Sequence, residues 1–310
     1  MKILGISFGT KNGNNDAMCK EALMGAKEAG ADIEFINMQE LNIKHCTGCT
    51  ACVISLMTGR GGKCVLKDDF EWLKDKMLDA DGIIFVTPIF EDGTTGLFHT
   101  VCDRLGPRFD KAMNIIGTQN AEKNGGMAPD PRNLKDKVVS FIAIGGSDWF
   151  ERVQSECFTM SMMGAWKIIN NEAFQWSKCI AMEDDKLAVG HQVGINLANA
   201  AKDMENAQYM GDPGICPHCH SRNFYLTDTA DKAICACCGL EGEIAIVDKR
   251  ITFKFAPETE GLAHNTLSGK FKHAGDINEN EGKLMALKKT PEYKERMQMY
   301  KDFIQSSKPE

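Results

Sequence analysis

Residues 2–30, "KILGISFGTKNGNNDAMCKEALMGAKEAG", decide the fold. The opening run "KILGIS" is apolar and short, as a single buried strand is. The next residues, "SFGTKNGNN" (7–15), are glycine and asparagine punctuation with no periodicity. From residue 15 the apolar positions recur at helical spacing and stop at Gly30, a residue suited to closing a helix. The strand–turn–helix unit then repeats. "DIEFINM" (32–38), "GIIFVTP" (82–88), "KVVSFIAIGG" (137–146) and "AWKIINNEAF" (165–174) read as further strands. Residues 68–80, with Asp68 as N-cap, and 184–208 read as helices. Five strands separated by helices predict an α/β fold, a doubly wound parallel sheet covered on both faces. Residues 113–134, rich in Asn, Gly and Pro, read as a long loop between helix and strand.

The 310-residue chain has a formal charge of −7, which gives no reason to expect nucleic acid or anionic lipid as a partner. No run of about 20 apolar residues could cross a bilayer. "MKILGISFGT" lacks the pattern of a signal peptide, and 13 cysteines without an export signal favour metal ligation in a reducing compartment. The expected location is cytoplasmic.

The turn after the first strand can aim backbone N–H groups and the side chains of Ser7, Thr10, Asn12, Asn14 and Asn15 at an anion. Gly9 and Gly13 let the backbone approach it, and the helix N-terminus behind adds a favourable dipole. A small polar turn would look similar in isolation. The pattern is neither G-x-G-x-x-G nor a P-loop, so a dinucleotide or nucleoside triphosphate is not the first choice. Two further loops belong to the same sheet edge: Pro88, Ile89, Phe90 and Gly93 after the third strand, and Gly145 and Gly146 after the fourth. Three such loops suit a mononucleotide with a planar aromatic end, such as FMN.

Together, "MKILGIS…KNGNN", "C-x-x-C-x-x-C…GKC…DD" and "ADGIIFVTPIF…DR" resemble the NAD(P)H-dependent FMN reductase and iron–sulfur flavoprotein family over residues 1–208. The resemblance implies a flavodoxin-like domain whose first loop holds the FMN phosphate and whose later loops frame the isoalloxazine. It also implies a homo-oligomer, dimer or tetramer, in which neighbouring subunits complete the flavin site. This chain departs from the family's usual phosphate loop at Phe8, Thr10 and Asn15, and carries Phe90 where Tyr is common.

Within residues 45–64, Cys46, Cys49 and Cys52 form a C-x2-C-x2-C run, and Cys64 follows after eleven residues. One loop could present the three thiolates to a single cluster, with Cys64 as fourth ligand. Spacing alone leaves zinc and a Cys46–Cys49 redox pair open. The resemblance implies a 4Fe–4S cluster near the flavin, although the family's last gap is shorter and relatives with similar cysteines also occur without a cluster, which leaves a segment with no cofactor open. Cys216, Cys219, Cys235 and Cys238 read C-x2-C-x15-C-x2-C, the spacing of a zinc ribbon over 212–256. Rubredoxin-type iron uses similar knuckles. Cys237, His218 and His220 read as bystanders. Residues 257–310 form a polar extension ending in a helix over 291–306.

The expected activity is that of an FMN-dependent oxidoreductase reducing a small conjugated or quinone-like organic acceptor. NAD(P)H or a redox protein such as ferredoxin would be the donor, and the 4Fe–4S cluster would relay electrons. The alternative is an electron carrier between redox proteins, without an organic substrate of its own. No catalytic residue stands out. His99 could supply a proton or merely open a helix, and Asp103–Arg104 resembles the family's "DR" pair, whose plain role is a charge interaction within or beside its helix.

Overall fold

The structure, a computed structural model, describes residues 1–229 and 231–307. It divides into two compact units, Met1–Lys270 and Phe271–Glu310. In the first, β1 (Lys2–Ser7), α1 (Asn14–Glu28) and β2 (Asp32–Asn37) follow the order read from the opening stretch. Next come α2 (Ala51–Met57), α3 (Phe70–Asp79), β3 (Gly82–Pro88), α4 (Gly96–Phe109) and α5 (Lys111–Asn124). The domain closes with β4 (Val138–Ile144), α6 (Val153–Met162), β5 (Lys167–Phe174) and α7 (Asp184–Lys202). All five strands pair in parallel, in the order β2-β1-β3-β4-β5. This is the flavodoxin-like order, whose switch point lies between β1 and β3.

The sheet alternates its side chains between two cores. Leu4 and Ile6 of β1 join Phe70, Leu73, Phe98, Leu105, Cys157 and Met160 on the face covered by α3, α4 and α6. Ile3 joins Met18, Ala22, Val193 and Leu197 on the face covered by α1 and α7. Those two helices touch backbone to backbone. A Cβ on Gly194 would lie 1.7 Å from the Ala22 carbonyl oxygen, so only glycine fits there. Between β3 and β4, Phe85 and Phe141 are register partners and stack at 5.3 Å. Burial of each such ring contributes roughly 1.5–3 kcal/mol.

A four-stranded antiparallel sheet follows: β6 (Phe224–Leu226), β7 (Lys232–Cys235), β8 (Glu241–Val247) and β9 (Arg250–Lys254). β6 and β7 pair antiparallel between the two cysteine knuckles. Residues α8 (Leu267–Leu287) and α9 (Pro291–Phe303) are helices; the polar extension had disclosed only the second. Thr290 caps α9 by accepting from the Tyr293 N–H at 3.3 Å.

Three details differ from the sequence reading. Most of the supposed loop over 113–134 is helix α5, which packs against α2. Its buried positions are Ala112, Asn114, Gly117 and Ala121, too small and polar to show a helical apolar stripe. The cysteine segment contains the short helix α2 rather than a loop alone. Asp68 does not stand at the N-cap position, which Asp69 occupies; its carboxylate pairs instead with Arg104.

Candidate functional site

The turn after β1 is braced from beneath by residues that the sequence did not single out. Asp16 is buried in the first turn of α1. It accepts from the Asn12 N–H at 2.6 Å and from Asn37 Nδ2 at 2.7 Å. The same Asn37 nitrogen donates to the Gly9 carbonyl at 3.1 Å. Asn12 takes a positive φ of 58°, and Gly13 N donates to the Thr10 carbonyl at 2.9 Å. Gly13 caps α1 without a side-chain hydrogen bond, and the one acidic side chain of the first turn, Asp16, is turned to Asn12 N–H and Asn37. Ser7 Oγ and Asn15 Oδ1 are buried with no partner, while Asn14 is engaged with Lys178 O at 2.6 Å and Ala181 N at 3.3 Å. Lys11 is paired with Glu40.

Beyond β3 and β4, a cavity of about 310 Å³ lies between Ile89, Phe90, Glu91, Asp92 and Gly145, Gly146, Ser147, Trp149. Phe90 and Gly93 exchange two backbone hydrogen bonds of 2.9 Å, closing a tight turn whose central residues Glu91 and Asp92 have φ of 48° and 70°. Arg152 holds that turn, donating through Nη2 to Glu91 O at 2.7 Å and through Nε to Asp92 Oδ2 at 3.1 Å. Behind it, Glu156 Oε2 accepts from Thr94 N at 2.6 Å and Thr94 Oγ1 at 2.9 Å, and meets His99 Nε2 at 3.1 Å. Side chains at Gly93 and Gly146 would strike Glu156 and Lys178 respectively. Phe90 and Trp149 both stand exposed at 62%.

In the cysteine segment, Cys46 and Cys49 are exposed and Cys52 and Cys64 half-buried. The backbone N–H of Ala51, at the start of α2, leads the hydrogen bonds that lower the Cys49 thiol below its ordinary value. Burial raises Cys52. Arg104 lies beside Cys64, with Nη2 to Sγ at 3.8 Å, and also donates to the Lys44 carbonyl at 2.7 Å. Asp68 accepts from Lys44 N at 2.8 Å. The Arg104–Asp68 pair therefore ties the two ends of the segment together. Arg104 Nε and Arg108 Nε and Nη1 are buried without partners, and both guanidiniums lie over the Phe70 ring.

The second set is compact. Cys216, Cys219, Cys235 and Cys238 bring their sulfurs within 4.8 Å of one another, with 3.8 Å between Cys216 and Cys238 and 3.4 Å between Cys219 and Cys235. A tetrahedral ion with metal–sulfur bonds of about 2.3 Å places its sulfurs about 3.8 Å apart. Hydrogen bonds with Cys216 hold Cys235 well below the ordinary thiol range and push Cys219 well above it. Four adjacent sulfurs cannot share negative charge without a cation. No second group of this kind occurs among the described residues.

The profile of the NADPH-dependent FMN reductase family matches residues 1–178. The chain belongs to this family. It is 55% identical to a solved flavone reductase, with both chains covered completely and a TM-score of 0.90. It is 24% identical over 304 residues to a flavone synthase of Aspergillus candidus, covering 89% of this chain and 88% of that one. An iron–sulfur flavoprotein of Methanocaldococcus jannaschii is 30% identical over 156 residues, 48% of this chain and 78% of that one.

As a member of the FMN reductase family, the chain is an FMN-dependent oxidoreductase. Its first loop fits the phosphate through the buried, unpartnered Ser7 hydroxyl, which can donate to an anion; the unpartnered atom of Asn15 is Oδ1, an acceptor. The cavity between the second and third loops fits the edge of a planar ring. The cysteine quartet has the geometry of a metal-binding group. Cys237 is outside the quartet but beside it, in hydrogen-bond reach of Cys219 and Cys235 and 3.3 Å from Ser221 Oγ. His218 and His220 stand apart, the first bonded to Glu260 and Asn265, the second stacked on Tyr209 at 4.0 Å. The sulfurs of Cys46, Cys49, Cys52 and Cys64 are not drawn into one group like the quartet; what the first segment shows is positive charge beside two of its thiols, with Arg104 3.8 Å from Cys64 Sγ and Arg108 acting on Cys52. Asn37, Arg152 and Glu156 escaped the sequence reading because their partners are distant in the chain, and Asp16 because its role is to join Asn12, four residues back, to Asn37. The acidic residue directly after the asparagine run was the one visible signal.

No helix among the described residues is long and apolar enough to cross a membrane.

Proposed function

We propose that this enzyme reduces a conjugated aromatic ketone of the flavone class, with NAD(P)H as electron donor. The observation that carries the reading is the 55% identity to a flavone reductase over the whole of both chains. A flavone reductase and a flavone synthase are both similar to this chain, and the shared substrate class in their names supports the reading. When bound, FMN supplies hydride transfer between a nicotinamide and a conjugated acceptor. Ser7, Gly9, Thr10, Asn12, Gly13 and Asn15 would hold its phosphate. Pro88, Ile89, Phe90, Gly93, Gly145 and Gly146 would frame its ring, leaving the exposed faces of Phe90 and Trp149 for a flat substrate. His99, which Glu156 and Thr94 hold beside the turn, would be the candidate to supply the proton that completes reduction.

A 4Fe–4S cluster on Cys46, Cys49, Cys52 and Cys64 would add one-electron transfer, and zinc would fill the ribbon quartet. The similarity to iron–sulfur flavoproteins supports the second reading, an electron carrier between redox proteins. Anaerobic incubation with FMN, NADH or NADPH and flavone, followed by chromatography, separates the two. Stoichiometric formation of the dihydro product is expected. Flavone left intact while reduced ferredoxin is rapidly oxidised would favour the carrier.

A further inference from the structure

We infer that the ribbon's cysteine quartet positions the wall of the flavin pocket through Asn223, so that metal loading of the ribbon sets the affinity for FMN. Asn223 lies between the two knuckles. Its carbonyl accepts from Ala236 N, inside the second knuckle, at 3.0 Å, and its own N–H donates to Ser221 Oγ at 3.0 Å. Its side chain points out of the ribbon, and Nδ2 donates to the Glu151 carbonyl at 2.9 Å. The next residue, Arg152, is the one that grips Glu91 and Asp92 in the pocket wall. Both gripped residues have left-handed φ, a conformation that persists in non-glycine residues only where neighbours enforce it.

Helix α6, which begins at Val153, rests on the ribbon from a second side. Phe158 of α6 is buried in one apolar cluster with Cys216, Cys235, Leu240 and Phe253. Cys237, which the quartet does not use, is buried and faces Ser155 of α6. A ribbon of this size has too little apolar core to keep its shape without an ion. When the quartet gives up its metal, Asn223 loses its fixed place, Glu151 and Arg152 lose their anchor, and the Glu91–Asp92 turn relaxes. The metal acts on the pocket without touching the ligand.

This inference rests on FMN occupying the pocket described above. The test uses the full chain, with zinc quantified in every sample, and titrates FMN by quenching of its fluorescence. Asn223→Ala should keep its zinc yet bind FMN roughly three- to tenfold more weakly, the scale of one lost hydrogen bond. Stripping zinc from the parent with a chelator should weaken FMN at least as much. Stripping it from Asn223→Ala should add little, because both changes break one linkage. Lys249→Ala, on the exposed β8–β9 turn, should change nothing. If zinc-loaded Asn223→Ala and the zinc-stripped parent both bind FMN like the loaded parent, the linkage is refuted. If Asn223→Ala loses its zinc, the stripped and loaded parents decide; if stripping precipitates the parent, the loaded variant decides. A loaded parent that binds no FMN would overturn the cofactor assignment itself.

Discussion

Arg104 and Asp68 form a two-pronged ion pair at 2.5 and 3.1 Å, with side chains only 1% and 0% exposed. The pair joins α4 to the end of the cysteine segment, and Asp68 also accepts from Lys44 at its start. Burial alone would raise the Asp68 carboxyl. Hydrogen bonds from Arg104, Lys44 N and Phe70 N outweigh it and hold the group below its usual range. Removing one partner strands a buried charge, so Asp68→Asn should cost about 3–5 kcal/mol in denaturant unfolding. Because the folded-state value is depressed, the pair's contribution is present above the unfolded value near 3.9 and is lost as pH falls through the folded value. The parent should therefore lose more stability than Asp68→Asn on acidification below about pH 4. Equal acid sensitivity of the two would show that the pair is not coupled to folding.

The opposite sign is expected across the α1–α7 contact. His191 meets Glu21 Oε1 at 2.8 Å and Glu28 Oε2 at 3.0 Å. Hydrogen bonds with Glu28 and then Glu21 raise the imidazole above its ordinary value. Its contribution is complete below the unfolded value near 6.5 and disappears as pH rises through the raised folded value. The groups are partly exposed, so the effect should be about 0.3–1 kcal/mol. His191→Gln should lower the melting temperature at pH 6 and leave it almost unchanged at pH 9. A deficit of equal size at both pH values would mean that packing, not charge, links the two helices.

The fold was legible because its decisive signals are local. Residues 2–30 carry strand, turn and helix in order, and each later strand is a dense β-branched run. Spacing alone placed the ribbon quartet, since a knuckle needs only two cysteines and a turn. What stayed hidden is close packing of small residues and pairing across long separations. Gly117 of α5 exists so that Leu56 of α2 can approach; a Cβ there would lie 2.6 Å from Leu56 Cδ1. Such a helix buries no large apolar stripe and reads as a loop. Arg104 was visible beside Asp103, but its partner lies 36 residues away. Arg152, the brace of the pocket wall, meets Asp92 across 60 residues.

In the phosphate loop, Ser7 Oγ is buried and unpartnered, so its hydroxyl is free to donate to an anion. Ser7→Ala should leave the FMN-free protein as stable as the parent. It should weaken FMN roughly 10- to 100-fold, the scale of a hydrogen bond to a charged group. Gly9→Ala differs: its Cβ would lie 2.5 Å from Asn15 Cβ, forcing the asparagine aside. That variant should lose FMN and some melting temperature together. Fluorescence titration paired with thermal melts distinguishes them. Unchanged FMN affinity in Ser7→Ala would move the phosphate away from this loop.

The first cysteine segment yields the sharpest metal test. Cys49 is exposed, its thiol lowered chiefly by the Ala51 N–H, and it packs against none of the sheet's core. Cys49→Ser should therefore fold normally and keep both FMN and the ribbon zinc. If four thiolates hold a cluster beside Arg104 and Arg108, anaerobically purified Cys49→Ser should lose its iron and its broad visible absorption. Cys237→Ser, outside both ligand sets, should keep iron and zinc counts equal to the parent's. Full iron in Cys49→Ser would break the four-ligand assignment. Zinc in place of iron in the parent would turn this segment into a second structural site, leaving FMN to carry the electrons alone.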